Sequence, residues 1–124
     1  MLKWDKEILT KYLKTNVVKS SHILDVGCGR GENLDLLKYL GYSNYIGTDI
    51  SDDMLNICRE KKHQVLKPNE LQYRFDVILM SHVIEHIESQ DVINFLEFYL
   101  NKLNSDGVLI ILTPTFYDGF YNDI

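Results

Sequence analysis

Apolar and polar positions along the chain switch between two periods, and the switching predicts the order of elements. Trp4, Ile8, Leu9, Tyr12 and Leu13 recur at helical spacing, so 4–14 reads as an amphipathic helix. The run at 22–26 reads as the first strand. Leu34, Leu37 and Leu40 then mark one face of a helix over 31–40 that stops at Gly41. The second strand is expected at 45–49. Ser51 is placed to cap a helix over 52–61, whose first turn carries Asp52 and Asp53 where the helix dipole favours acids. A weak third strand at 64–66 ends in a turn at Pro68-Asn69, and a fourth strand follows at 75–80. A helix at 91–103, a turn at Ser105-Asp106-Gly107 and a fifth strand at 108–112 complete the pattern. Strands that are nearly continuous in apolar residues and alternate with helices predict an α/β fold, a mostly parallel sheet covered by helices on both faces.

The candidate chemistry sits where the first strand breaks. Leu24-Asp25-Val26-Gly27-Cys28-Gly29-Arg30-Gly31 is a buried strand running into a glycine-rich turn at the mouth of a helix. Such a turn lets a ligand approach bare backbone. Asp49 closes the neighbouring strand, where its carboxylate can accept both hydroxyls of a ribose. These features predict a nucleoside-cofactor site. The dinucleotide fingerprint places its third glycine three positions after the second, whereas Gly31 follows Gly29 by two. No Tyr-x-x-x-Lys pair is present either, so a nicotinamide-dependent oxidoreductase is the weakest alternative.

Asp25-Val26-Gly27-Cys28-Gly29-Arg30-Gly31 resembles the first motif of the class I S-adenosylmethionine-dependent methyltransferases, of the type 11 and type 23 kind. Three further segments agree in order and spacing: Thr48-Asp49-Ile50-Ser51 with Met54, the run from Phe75 to His86, and Gly107 to Pro114. The resemblance implies a Rossmann-like core, S-adenosyl-L-methionine as cofactor, and methyl transfer to an acceptor that the motifs leave unidentified. It implies Asp25, Gly27, Cys28, Gly29, Asp49, Ile50, Met54, Ser81 and His82 as cofactor-binding residues. Within that set, Asp25 falls to the amino-group side, with a plainer role bracing the turn, and Ile50 and Met54 flank the adenine. No acid in Lys67-Pro68-Asn69-Glu70 falls in register for the adenine amine. A complete domain of this class adds two strands after the fifth. One domain over 1–124, cut short at its C-terminus, is therefore expected, with a bare fifth-strand edge open to self-association.

Methyl transfer from a sulfonium is an in-line displacement, so positioning supplies much of the acceleration, and a base is needed only for a protonated acceptor. His86 is the candidate general base, because it follows the fourth strand at the cleft and titrates near neutral pH. His82, Glu85 and His86 share a face if that segment is helical, similar to the Glu-x-x-Glu-His motif of metal-assisted methyltransferases acting on RNA 3′ ends or quinone precursors. His82 replaces the first Glu of that motif, so no metal ligands are assigned. A catalytically silent cofactor-binding module is the remaining alternative. Phe116, Tyr117, Phe120 and Tyr121 either line an acceptor pocket or cover the sheet edge.

Bulk properties narrow the partners. A net charge of -5 supplies no basic field for a phosphate backbone, so a small-molecule acceptor is expected, with RNA as the alternative. Two cysteines are too few for a disulfide framework, and no leader-like or membrane-spanning run is legible. A cytoplasmic protein with reduced thiols and no membrane partner is expected.

Overall fold

In the computed structural model, which describes residues 3–114, the elements follow the predicted order. They are α1 (Lys3–Asn16), β1 (Ile23–Val26), α2 (Glu32–Tyr39), β2 (Tyr45–Thr48), α3 (Asp52–Glu60), β3 (Val65–Leu66), β4 (Phe75–Ser81), α4 (Val92–Leu100) and β5 (Leu103–Leu112). The sheet runs β3-β2-β1-β4-β5, and every neighbouring pair is parallel. All four residues of β1 are buried, because the central strand of a parallel sheet is covered on both faces.

Alternation along the strands divides the core in two. Ile23, Val77 and Leu79 face Leu9 and Leu13 of α1, Leu34 and Leu37 of α2, and Leu55 of α3. Leu24, Val26, Ile46, Ile78 and Met80 face the other way, toward Tyr99 of α4. Each fully buried leucine stabilises the fold by about 1.5–3 kcal/mol, and truncating Leu34 to alanine costs about 2–5 kcal/mol. Ser51 caps α3 as expected, its hydroxyl accepting the Met54 amide at 3.3 Å.

Two departures from the expected pattern bear on the site. The connection from β3 to β4 carries only a single 3₁₀ turn at Pro68–Glu70, so the α4 face of the sheet has one long helix where the other face has three. Second, α4 ends at Leu100 rather than 103, and β5 begins at Leu103 rather than 108. Phe75 pairs with Leu103 and Val77 with Val108, so the expected turn is a bulge inside the strand. Asn104 anchors it by donating to Asp76 at 2.9 Å. Gly107 permits it, since a Cβ there would lie 2.8 Å from Leu103 and 2.9 Å from the Asn104 carbonyl. Among the described residues β5 is an outer strand, with Val108 39% and Ile111 42% exposed. The aromatic cluster from Phe116 to Tyr121 lies outside the described residues.

Candidate active site

A cleft of about 480 Å³ opens at the carboxyl ends of β1, β2 and β4. The sheet order reverses there, between β1 and β4, which is where open α/β folds bind ligands. Val26, Gly27, Thr48 and Asp49 form its floor. Ile50 and Pro68 stand on one side, His82, Val83, His86 and Ile87 on the other, and Phe95 and Tyr99 close the back.

The glycine turn is shaped by its own backbone. Gly27 has φ +69°, and a Cβ there would lie 2.8 Å from Val83 Cγ2, so both conformation and space demand glycine. Nothing lies within 4 Å of the Cβ position of Gly29, which leaves that backbone open to a ligand. The amides of Gly27 and Cys28 donate to the Thr48 carbonyl at 2.8 and 2.9 Å, locking the turn to β2.

Asp49 is partly buried at the rim. One carboxylate oxygen accepts the Gly29 amide and the other the Ser51 amide, each at 2.9 Å. A carboxylate has further lone pairs on both oxygens, so a diol can still be held. Behind it, the buried Tyr99 hydroxyl has its pKa pushed up to about 12, by burial first and then by the Asp49 charge. The Thr48 hydroxyl is buried with no hydrogen-bond partner among the described residues. A partly satisfied wall of this kind suits a ligand that brings its own donors.

Of the expected cofactor-binding residues, Gly27, Asp49, Ile50 and His82 line the cleft, as does the candidate base His86. Gly29 is not in the lining, but its amide holds Asp49, which is. Asp25 does not reach the cleft: its carboxyl is buried beneath the turn, where Oδ1 accepts from Asn33 Nδ2 at 3.2 Å and Oδ2 has no partner among the described residues. Burial there pushes its pKa up to about 7, opposed by the Asn33 hydrogen bond and reinforced by the Asp49 charge. Neither the amino-group role nor amide bracing describes that contact. Cys28 also turns inward, its Sγ 4.0 Å from that of Cys58, and burial raises both thiol pKa values. Met54 and Ser81 lie outside the lining. Glu70 is already used by its own turn, accepting the Lys67 amide at 2.8 Å.

The two histidines differ. His86 is exposed, and its imidazole makes no side-chain hydrogen bond among the described residues. His82 is engaged on both ring nitrogens, Nε2 with Asp5 and Nδ1 with Glu85 at 3.4 Å. The segment after β4 forms a 3₁₀ turn rather than a helix, and no group of three metal-ligating side chains is gathered among the described residues. Val26, Thr48, Pro68, Ile87, Phe95 and Tyr99 were not expected in the site. Only the strand-end position of Thr48 hinted at it, since the apolar face of α4 reads from sequence as plain core.

The chain matches the methyltransferase-domain family over residues 3–121 and belongs to it. Gly27, the Asp49 carboxylate and the flanking Ile50 and Pro68 suit the chemistry of a nucleoside ligand. A solved S-adenosylmethionine-dependent methyltransferase from Archaeoglobus fulgidus is 28% identical, with a TM-score of 0.70 over 95% of this chain and 59% of its own. A ubiquinone biosynthesis O-methyltransferase of Bradyrhizobium diazoefficiens is 30% identical over 79% of this chain and 42% of that protein. A tRNA (guanine-N(7)-)-methyltransferase of Ruminiclostridium cellulolyticum is 33% identical over 65% of this chain and 36% of that protein. The chain thus spans about a fifth to a half of the length of the curated relatives it matches. No described helix is long and apolar enough to cross a membrane.

Proposed function

We propose that this chain is the cofactor-binding core of an enzyme that transfers a methyl group from S-adenosylmethionine to a small-molecule acceptor. The observation that carries the proposal is the cleft itself. The backbone of Gly27, a ribose-competent carboxylate at Asp49 and the exposed imidazole of His86 line one hollow. The bound cofactor supplies an electrophilic methyl on a sulfonium. The chain's share is to hold the nucleoside against Asp49, exclude water with Ile50, Phe95 and Tyr99, and let His86 accept a proton from an oxygen or nitrogen acceptor.

The acceptor class follows from the lining. Among the described residues no Lys or Arg lines the cleft, and its back wall is aromatic, which favours a compact, partly apolar acceptor over RNA. That preference sides with the quinone-type relatives rather than the tRNA-type ones. The metal-assisted version has less support, because His82 is already held by two carboxylates. Two buried, unbridged thiols suit a reducing compartment such as the cytoplasm.

The test is calorimetry followed by turnover. S-adenosylhomocysteine is expected to bind and NADH not to; the reverse result overturns the assignment. With pooled phenols, amines and RNA as acceptors, His86→Gln should lower kcat by about 10²–10⁴-fold while leaving S-adenosylhomocysteine affinity intact. Equal turnover by His86→Gln and the native chain removes His86 as the base.

A further inference from the structure

His82 combines three features that the methyl-transfer proposal leaves unused. Its φ is +58°, a left-handed conformation rare for a residue with a side chain, and its amide donates to the Leu112 carbonyl of β5 at 2.7 Å. Its ring is held on one side by Asp5, 77 residues away in the first turns of α1, and on the other by Glu85. The next residue, Val83, is the one that packs against Gly27, and His86 follows within the same turn. An imidazole facing carboxylates at both nitrogens is satisfied only when both carry protons. We propose that His82 is a positioning residue: clamped as an imidazolium between Asp5 and Glu85, it holds the strained exit from β4 so that Val83 and His86 form the wall of the cofactor cleft.

Asp5 from α1 and Glu85 from the turn are the charged groups that bear on the ring, while β5 contributes the Leu112 carbonyl. The Asp5 hydrogen bond raises the imidazole pKa most, and the two carboxylate charges add to it against the opposing effect of burial. The clamp is therefore complete below the ordinary histidine value near 6.5 and is lost as pH rises through the elevated one. Because the inference rests on the cofactor assignment, its test has an arm that needs no cofactor.

Imidazole resonances followed by NMR against pH should give His82 a midpoint above 6.5 in the native chain and close to 6.5 in Asp5→Asn. The same midpoint in both overturns the proposal. Between pH 6 and pH 9 the dissociation constant for S-adenosylhomocysteine should rise about two- to fivefold in the native chain. In Asp5→Asn it should be weaker and flat with pH. His82→Asn, which tolerates a left-handed backbone, should match Asp5→Asn. Identical pH slopes in all three chains count against the clamp. If nothing binds at any pH, the cofactor assignment fails while the imidazole midpoint still decides the clamp.

Discussion

On the glycine side of the cleft, Asp49 accepts amides from Gly29 and Ser51, and the turn hangs from the Thr48 carbonyl; backbone groups at the ends of adjacent strands hold everything. On the β4 side, Val83 and His86 are carried by a turn whose strained residue is tied to α1, 77 positions away, through a charged side chain. The first rim is built from short hydrogen bonds among backbone amides, the Thr48 carbonyl and the Asp49 carboxylate. The second depends on a titratable contact and on the docking of a terminal helix. Rigidity is thus concentrated on the glycine side, and adjustable structure lies on the β4 side.

Substitutions at the seam and beneath the glycine rim put that contrast at risk. Gly27→Ala should be the most damaging, because the left-handed backbone costs about 1–2 kcal/mol and the overlap with Val83 a further ~1–3 kcal/mol. Urea denaturation reads the sum. A loss below about 1 kcal/mol would mean that the β4 side simply moves aside, and that the two rims are not in firm contact.

Next in size is the buried Asp25. Its folded pKa of about 7 stands above the ordinary value of 3.8, so its contribution to stability is fully present below about pH 4 and is lost as pH rises toward 7. Asp25→Asn should remove that slope and gain up to a few kcal/mol at pH 8 relative to the native chain. Parallel stability profiles from pH 4 to 8 would show that Asp25 is not an unpaired acid beneath the turn.

Asp49→Ala should come third, weakening S-adenosylhomocysteine by about 1.5–3 kcal/mol, the range for hydrogen bonds to a charged group. Calorimetry measures it, and unchanged affinity would remove Asp49 from the site. An equal loss from Asp5→Asn would erase the contrast between a rigid rim and an adjustable one.

Much of the architecture was legible because its signals are local. Helical spacing over Leu34 and Leu37, the cap at Ser51 and the punctuation at Gly27, Gly29 and Gly41 each act within a few residues, and the elements formed where those signals lie. The breakdown at β5 has an equally physical cause. Ser105-Asp106-Gly107 carries turn chemistry, but pairing of Leu103 with Phe75 and the Asn104–Asp76 bond drew the turn into the strand as a bulge.

The residue pattern by itself determined the order of strands and helices, the glycine turn and the acid at the end of β2, since backbone conformation and period are properties of neighbouring residues. Only the folded chain decided which way each side chain of the motif points. Asp25 alternates onto the α2 face and meets Asn33, Cys28 turns toward Cys58, and α4 presents Phe95 and Tyr99 to the cleft. The partnership of Asp5 with His82 arises only when α1 packs through Leu9 and Leu13 onto the sheet, because contact between distant residues is set by burial of whole faces.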